Sequence, residues 1–297
     1  MNKVSVQKKH LLTGHKDCLY TLAPINSHEL ISAGADGMVV RWNLDDAENG
    51  KVIAKVNASI YAMNRHEDQL LVVENNEGLH IIDLIENKET KSVKLGQSAY
   101  FDIQVIHGNY WIGAGNGEVI VVNPEMAILY RKQLSNKSAR SLTFIPHRNE
   151  VAIGFSDHSI KVLDATTFKK NWEIDAHGNS VFAVVTSPDQ KFLVSGSRDA
   201  HLKIWHTDNY TLHESVVAHM YAINGIDFSP NGQYFVTCSM DKSVKVWDAS
   251  SFRLLKVIDK ARHAGHATSV NKVKWLSDSL VASCSDDRSV SIWKLGF

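Results

Sequence analysis

One short step recurs along this chain at a nearly constant interval, and it constrains the fold more than any other feature. Its clearest copies lie in the C-terminal half. They read Ser195-Gly-Ser-Arg-Asp199-Ala-His-Leu-Lys-Ile-Trp205, Thr237-Cys-Ser-Met-Asp241-Lys-Ser-Val-Lys-Val-Trp247 and Ser283-Cys-Ser-Asp-Asp287-Arg-Ser-Val-Ser-Ile-Trp293. In each, a Ser or Thr is followed by Asp four residues later and by Trp six residues after that. Ser32, Asp36 and Trp42 repeat the same offsets near the start. Between them, Asn76 to Ile82, Asn116 to Val122 and Asp157 to Leu163 keep the six-residue step with an aliphatic residue in place of Trp. The seven anchors fall at 42, 82, 122, 163, 205, 247 and 293, at spacings of 40, 40, 41, 42, 42 and 46.

A period of about 40–45 residues with four strands per unit is the signature of a β-propeller blade. One unit can be read strand by strand. Ala222 to Phe228 alternates, Ser229-Pro-Asn-Gly232 has turn chemistry, and Gln233 to Ser239 is the next strand. Val244 to Asp248 and Phe252 to Ile258 follow after two further turns. The expectation is an all-β chain, a single seven-bladed propeller of four-stranded antiparallel blades over residues 1–297. The approximate repeats are 13–49, 50–90, 91–131, 132–172, 173–214, 215–258 and 259–297, the last completed by 3–12.

The ends of the chain suggest how the ring closes. After Trp293 only Lys-Leu-Gly-Phe297 remains, too little for a fourth strand. Val4 to Leu12 precede the first repeat and belong to no complete unit. The surplus strand matches the missing one, and pairing them covers an edge that would otherwise stay open.

Four repeats also carry an upstream histidine. His15 lies 21 residues before Asp36, His177 lies 22 before Asp199, His219 lies 22 before Asp241, and His266 lies 21 before Asp287. Gly14-His15 and Gly265-His266 form Gly-His pairs, and Trp247-Asp248 is the one literal Trp-Asp dipeptide. On these motifs the sequence resembles the WD-repeat family over essentially its whole length. Repeats two, three and four depart from the pattern, lacking the His, the Ser or Thr, and the Trp.

A His, a Ser and an Asp in one unit also invite a catalytic reading, since nucleophilic catalysis needs a Ser hydrogen-bonded to a His that an acid orients. One active site does not need four copies at fixed spacing. The family resemblance implies structural tetrads instead. In these, the Trp indole donates to the Ser or Thr hydroxyl, the hydroxyl bonds the His, and the His donates to the Asp in the turn. The four sets would be His15, Ser32, Asp36 and Trp42; His177, Ser195, Asp199 and Trp205; His219, Thr237, Asp241 and Trp247; and His266, Ser283, Asp287 and Trp293. Such a network pairs every buried polar group it contains. No catalytic residue is assigned.

The resemblance also implies a non-catalytic scaffold that binds a protein or peptide at the mouth of the central channel on the narrow face. One position early in the first strand of each blade, just after its first buried apolar residue, should be exposed there. Aligning the repeats puts Tyr20, Tyr61, Phe101, Arg140, Phe182, Asn224 and Asn271 at that position. Tyr, Phe and Arg concentrate binding energy, and an aromatic cluster can hold a guanidinium or ammonium by cation–π contact. The residues before each turn Asp should point the same way: Ala35, Asn75, Gly115, Ser156, Arg198, Met240 and Asp286. Arg198 and Asp286 join the candidate contact residues.

The remaining signals narrow the function classes. Lys plus Arg and Asp plus Glu both total 32. With no excess positive charge, direct nucleic-acid binding is not expected. No run of 18 apolar residues is present, so no membrane span is expected. There is no apolar N-terminal run for secretion. Cys18, Cys238 and Cys284 show no metal or disulfide spacing. With them, a cytoplasmic protein is expected, with the nucleus left open for a eukaryotic source. His107, His147, His158, His201 and His206 are scattered, and metal sites need clustered ligands. No metal and no cofactor are expected. The chain should be a monomeric propeller acting within a complex. Two other readings stay open: a structural subunit of a larger assembly such as a ribonucleoprotein, and a small-molecule-binding or enzymatic propeller that would need carboxylates or a metal cluster on the axis.

Overall fold

A computed structural model describes residues 4–297. These residues form twenty-eight strands in seven four-stranded antiparallel sheets. In six sheets the strands pair in chain order. The first strands of successive blades lie side by side around the axis and form the channel wall.

The strand sequences fit their places. The second strands are buried after their first residue and mostly apolar, as in Gln69–Glu74, Asn109–Ala114 and Tyr234–Ser239, because both faces lie under neighbouring blades. A continuous apolar run is what burial on two faces demands. The fourth strands face outward and are the least buried; Lys88–Lys94 reads KETKSVK and is almost wholly exposed. Between blades the apolar side chains merge into clusters, such as the one joining Val236 and Val246 of blade six to Val273, Val281 and Trp293 of blade seven.

The seventh sheet closes the ring. Ser5–Thr13 pairs antiparallel with Ser289–Gly296, from Ser5 opposite Gly296 to Thr13 opposite Ser289. Leu12 is buried with Leu19, Trp42, Val290 and Ile292, so the N-terminal strand is anchored by packing as well as by its ladder. Lys8 donates to the Ala264 carbonyl at 2.8 Å and lies 5.4 Å from the centre of the Trp293 ring.

The blades run 19–55, 60–94, 100–133, 139–175, 181–217, 223–258, and 270–296 with 5–13. The repeat boundaries drawn from the sequence at 49, 90, 131, 172 and 214 therefore need correction. The fourth strand of blade one, Lys51–Lys55, lies wholly beyond its boundary, and the next four boundaries cut through fourth strands. The outermost strands bury little, so they carry almost no apolar alternation by which their limits could be read.

The long connection before blade seven contains one helical turn, Lys260–His263, capped by the Asp259 side chain. Among the described residues no helix is long and apolar enough to cross a membrane.

Candidate functional site

The site begins as a backbone irregularity repeated seven times. In every blade the ladder between the first and second strands skips one residue. The breaks fall between Leu19 and Thr21, Ile60 and Ala62, Tyr100 and Asp102, and Ala139 and Ser141. The other three fall between Val181 and Ala183, Ile223 and Gly225, and Val270 and Lys272. The skipped residues are Tyr20, Tyr61, Phe101, Arg140, Phe182, Asn224 and Asn271. A bulge leaves its extra residue unpaired and re-aims the side chain. All seven line one cavity of about 320 Å³ at the channel mouth.

The seven are half-buried against one another. Tyr20 and Tyr61 lie with ring centres 4.6 Å apart, and Tyr61 and Phe101 at 5.4 Å. The arc continues into Arg140, whose guanidinium sits 3.9 Å from the Phe101 ring centre and 5.1 Å from that of Phe182. Its Nε donates to Ser156 Oγ at 2.9 Å. Burial pushes the Arg140 pKa below the ordinary arginine value; Tyr61 opposes this and Arg198 adds to it. The aromatic cage anticipated for a partner's cation is thus filled by the protein's own arginine.

Asn224 and Asn271 are committed elsewhere. Asn224 Nδ2 donates to the Val270 carbonyl at 2.9 Å and to Ser269 Oγ at 3.1 Å. Asn271 Nδ2 donates to the Leu19 carbonyl at 2.8 Å and to Asp286 Oδ1 at 2.6 Å. These amides bridge blade six to seven and blade seven to one.

The residues before the turns divide in the same way. Arg198 and Met240 are exposed. Asn75 is buried, and its Oδ1 accepts the Tyr100 N–H at 2.9 Å, so it does not join a shared exposed face as the alignment anticipated. A turn side chain beside an unfilled backbone donor of the next blade is drawn to it rather than to solvent. Neither Arg198 nor Asp286 lines the cavity itself. The alignment also missed Met220 and Tyr221, which are strongly exposed on the loop beside Met240.

Deeper in the channel lie charged residues that the sequence reading did not single out: Asp102, Asp227, Lys272 and Lys274. Asp102 Oδ2 accepts the Leu142 N–H at 2.7 Å, and its Oδ1 accepts the Ile103 N–H at 2.9 Å. Asp227 Oδ1 takes Lys274 Nζ at 2.6 Å, and its Oδ2 takes the Trp275 N–H at 2.8 Å. Both carboxylates stitch one blade to the next. A charged residue at a first-strand position is invisible to a repeat alignment keyed on the turn.

None of the four His–Ser/Thr–Asp–Trp sets lines the cavity. His15 Nδ1 is 2.9 Å from Asp36 Oδ2, His15 Nε2 is 2.8 Å from Ser32 Oγ, and Trp42 Nε1 donates to that oxygen at 2.8 Å. The corresponding distances are 3.1, 2.8 and 2.9 Å for His177 with Asp199, Ser195 and Trp205. They are 2.8, 2.7 and 2.9 Å for His219 with Asp241, Thr237 and Trp247. For His266 with Asp287, Ser283 and Trp293 all three are 2.9 Å. Ser32, Ser195, Thr237 and Ser283 are each 0% exposed. An oxygen sealed from solvent and substrate cannot act as a nucleophile.

The four tetrad carboxyls are all held below the ordinary aspartate value, and burial lowers the His177 and His219 imidazoles. Burial alone would raise the Asp241 carboxyl, but hydrogen bonds from His219, Ser243 and the Met220 N–H outweigh it and keep it far below the usual carboxylate range. Burial pushes the His177 imidazole down to about 4 against the pull of Asp199.

The degenerate blades solve the same problem differently. In blade two Glu74 Oε1 accepts the N–H groups of Asn57 and Ala58 at 2.9 and 2.8 Å. In blade four Ser135, 22 residues before Asp157, stands where the histidine would be and donates to Asp157 Oδ2 at 2.6 Å. Lys161 fills the remaining space, 3.2 Å from the same oxygen.

Among the described residues no group of three or more His, Cys, Asp or Glu is placed to hold a metal ion. His107, His147 and His158 face Asn149, Asp208 and Asp175 respectively, and His201 Nδ1 lies 2.9 Å from the Asp199 carbonyl. His206 pairs instead with His213, at 3.2 Å.

Seven four-stranded blades, closed by the N-terminal strand and braced by Trp–hydroxyl–His–Asp chains, define a WD-repeat β-propeller. The chain belongs to the WD40 family: the WD domain, G-beta repeat matches residues 6–43, 168–206, 210–248 and 259–294, about half of the chain. The matched stretches contain the four tetrads. A protein of Danio rerio, p21-activated protein kinase-interacting protein 1-like, is 24% identical over 218 residues, 65% of this chain. This chain spans 59% of the length of that relative. The crystal structure of the WD40 β-propeller domain of Doa1 superposes with a TM-score of 0.86 at 19% identity, covering 98% of this chain and 97% of that one. At that identity the likeness is one of fold.

Proposed function

We propose that this protein is a non-catalytic interaction scaffold that receives a peptide or protein segment at the channel mouth. The observation that carries this reading is the bulge repeated in all seven blades, which turns Tyr20, Tyr61, Phe101, Arg140 and Phe182 toward one cavity. Large rigid rings and a guanidinium give much contact area at little entropic cost. Asp102 and Asp227 are held by neighbouring blades, which disfavours a channel enzyme that would need them free. The Danio rerio relative is named as an interacting protein, which agrees with a scaffold role.

A second reading, a structural subunit of a larger assembly, has support from the exposed Met220, Tyr221 and Met240, a small apolar surface beside the mouth. Either role suits a cytoplasmic propeller working inside a complex.

Affinity purification of the tagged protein from its native cells tests the proposal. Wild type should recover stable partners, and Phe101→Ala with Phe182→Ala should lose them. Unchanged recovery from that double variant, together with no effect of Arg140→Glu, would overturn the mouth as the working surface.

A further inference from the structure

We infer that the mouth takes an acidic side chain. The occupant is an extended peptide segment bearing an aspartate or glutamate beside an apolar residue, with the carboxylate received by Arg140 and Arg198. This rests on the mouth being the working surface, as proposed above.

The first ground is an unmatched arginine. Arg41, Arg131, Arg148 and Arg262 each meet a carboxylate, Glu29, Glu118, Glu150 and Asp259, whereas Arg253 and Arg288 are exposed to solvent and Arg65 donates to the Ile25 carbonyl. Arg140 meets no carboxylate among the described residues. Its flat faces lie against Phe101 and Phe182, and its Nε is taken by Ser156. Among the described residues the Nε bond to Ser156 is the one hydrogen bond of this guanidinium, which lines the cavity with its two terminal nitrogens unengaged. A stacked guanidinium with its fork unfilled is pre-organised for a carboxylate.

The second ground is the sign of the surrounding charge. Arg198, exposed on the next blade, has no carboxylate partner among the described residues and is close enough to disfavour the charge on Arg140. Lys272 lines the same cavity, also without an acidic partner among the described residues. Of the nearby acids, Asp227 is paired with Lys274; Asp102 and Asp286 keep their charge but spend their oxygens on the N–H groups of Leu142 and Ile103 and on the Asn271 amide, not on Arg140 or Arg198. Like charges that feel one another without a carboxylate between them are relieved by an anion and aggravated by a cation. With the ring faces on either side of Arg140 already covered, a partner's Lys or Arg would find repulsion there instead of a cage.

The third ground is shape. A cavity of about 320 Å³ admits side chains but not a folded domain. The Tyr20–Tyr61 pair continues the arc on one side, and on the other Met220, Tyr221 and Met240 lie exposed on the following blade, whose entry loop bonds the Ala200 carbonyl two residues after Arg198. Both offer apolar contact next to the anion position.

Random linear peptides displayed on phage are the probe, selected on the whole chain. Selections should enrich Asp or Glu next to an apolar residue. Synthetic copies of the winners should bind Arg198→Gln and Arg140→Gln about tenfold or more weakly, and weaken further as salt rises. Changing the peptide's acid to its amide should cost affinity for wild type and nothing further for Arg140→Gln. Arg198 is exposed, so its variant stays informative if Arg140→Gln lowers stability. Enrichment of Lys or Arg, acidic winners indifferent to both variants, or no winners at all would overturn the inference. So would binding confined to phosphoserine members of a matched array. Non-acidic winners that lose affinity for Phe101→Ala would overturn the acidic partner and keep the mouth; winners indifferent to Phe101→Ala and Phe182→Ala would overturn the mouth itself.

Discussion

The Asp241 carboxylate lies 2.8 Å from Nδ1 of His219, and this contact completes a polar chain that reaches Trp247 through Thr237. The chain ties the turn after the second strand to the loop that enters the blade. Asp241 is the short, charged partner of His219 Nδ1; Ser243 Oγ lies farther off, at 3.3 Å.

Asp241→Ala should therefore destabilise by about 3 kcal/mol, because it removes a charged acceptor shared by His219, the Met220 N–H and the Ser243 N–H and leaves His219 Nδ1 only the longer contact to Ser243 Oγ. Urea unfolding measures this, and an unchanged midpoint would refute it. Binding at the mouth should survive in the folded fraction, since the tetrad does not line the cavity.

Stability should fall in two stages on acidification. His177 has its folded pKa lowered to about 4 by burial, below its ordinary value near 6.5. Between those values the unfolded chain binds the extra proton, so stability is full above about pH 6.5 and declines as pH falls to about 4, by up to about 3 kcal/mol. His219, also lowered by burial, acts in the same direction. Below pH 4 a second loss sets in. The folded carboxyls of Asp157, near 2, and of Asp241 and Asp287, well below the usual range, stay ionised while the unfolded ones protonate. Urea midpoints that stay level from pH 7 to pH 4 would contradict the first stage.

Removing residues 1–12 should cost far more than trimming a loose end. Burial of Val4 and Leu12 alone contributes about 3–6 kcal/mol, and the loss exposes Ser289–Gly296 as an open edge. A lower melting temperature and concentration-dependent aggregation are expected in light scattering. A truncated protein that melts like wild type would refute this closure.

In blade two, Glu74→Ala should destabilise by about 1–3 kcal/mol by stranding the N–H groups of Asn57 and Ala58. Glu74→Gln keeps a carbonyl acceptor and should lose much less. Equal losses for the two variants, read by thermal unfolding, would show that charge and not acceptance by the side-chain oxygen matters there.

The sequence by itself determined the number of blades, their order and the strand that closes them. These follow from a repeat whose members are local: a turn Asp and a Trp six residues later keep the same offset in every unit in which they occur. Spacing also put Tyr20, Tyr61, Phe101, Arg140, Phe182, Asn224 and Asn271 at one equivalent place, because the bulge that displaces them occurs at the same step of every first strand. Only the tertiary structure decided what each does there. Arg140 is clasped by residues about 40 positions away on either side, while Asn224 and Asn271 spend their amides on the next blade. Glu74 and Ser135 with Lys161 replace missing tetrads in ways that no shared offset encodes. The physical reason is that a period fixes which residues stand in the same ring, whereas contacts between blades depend on the particular side chains that the closed ring brings face to face.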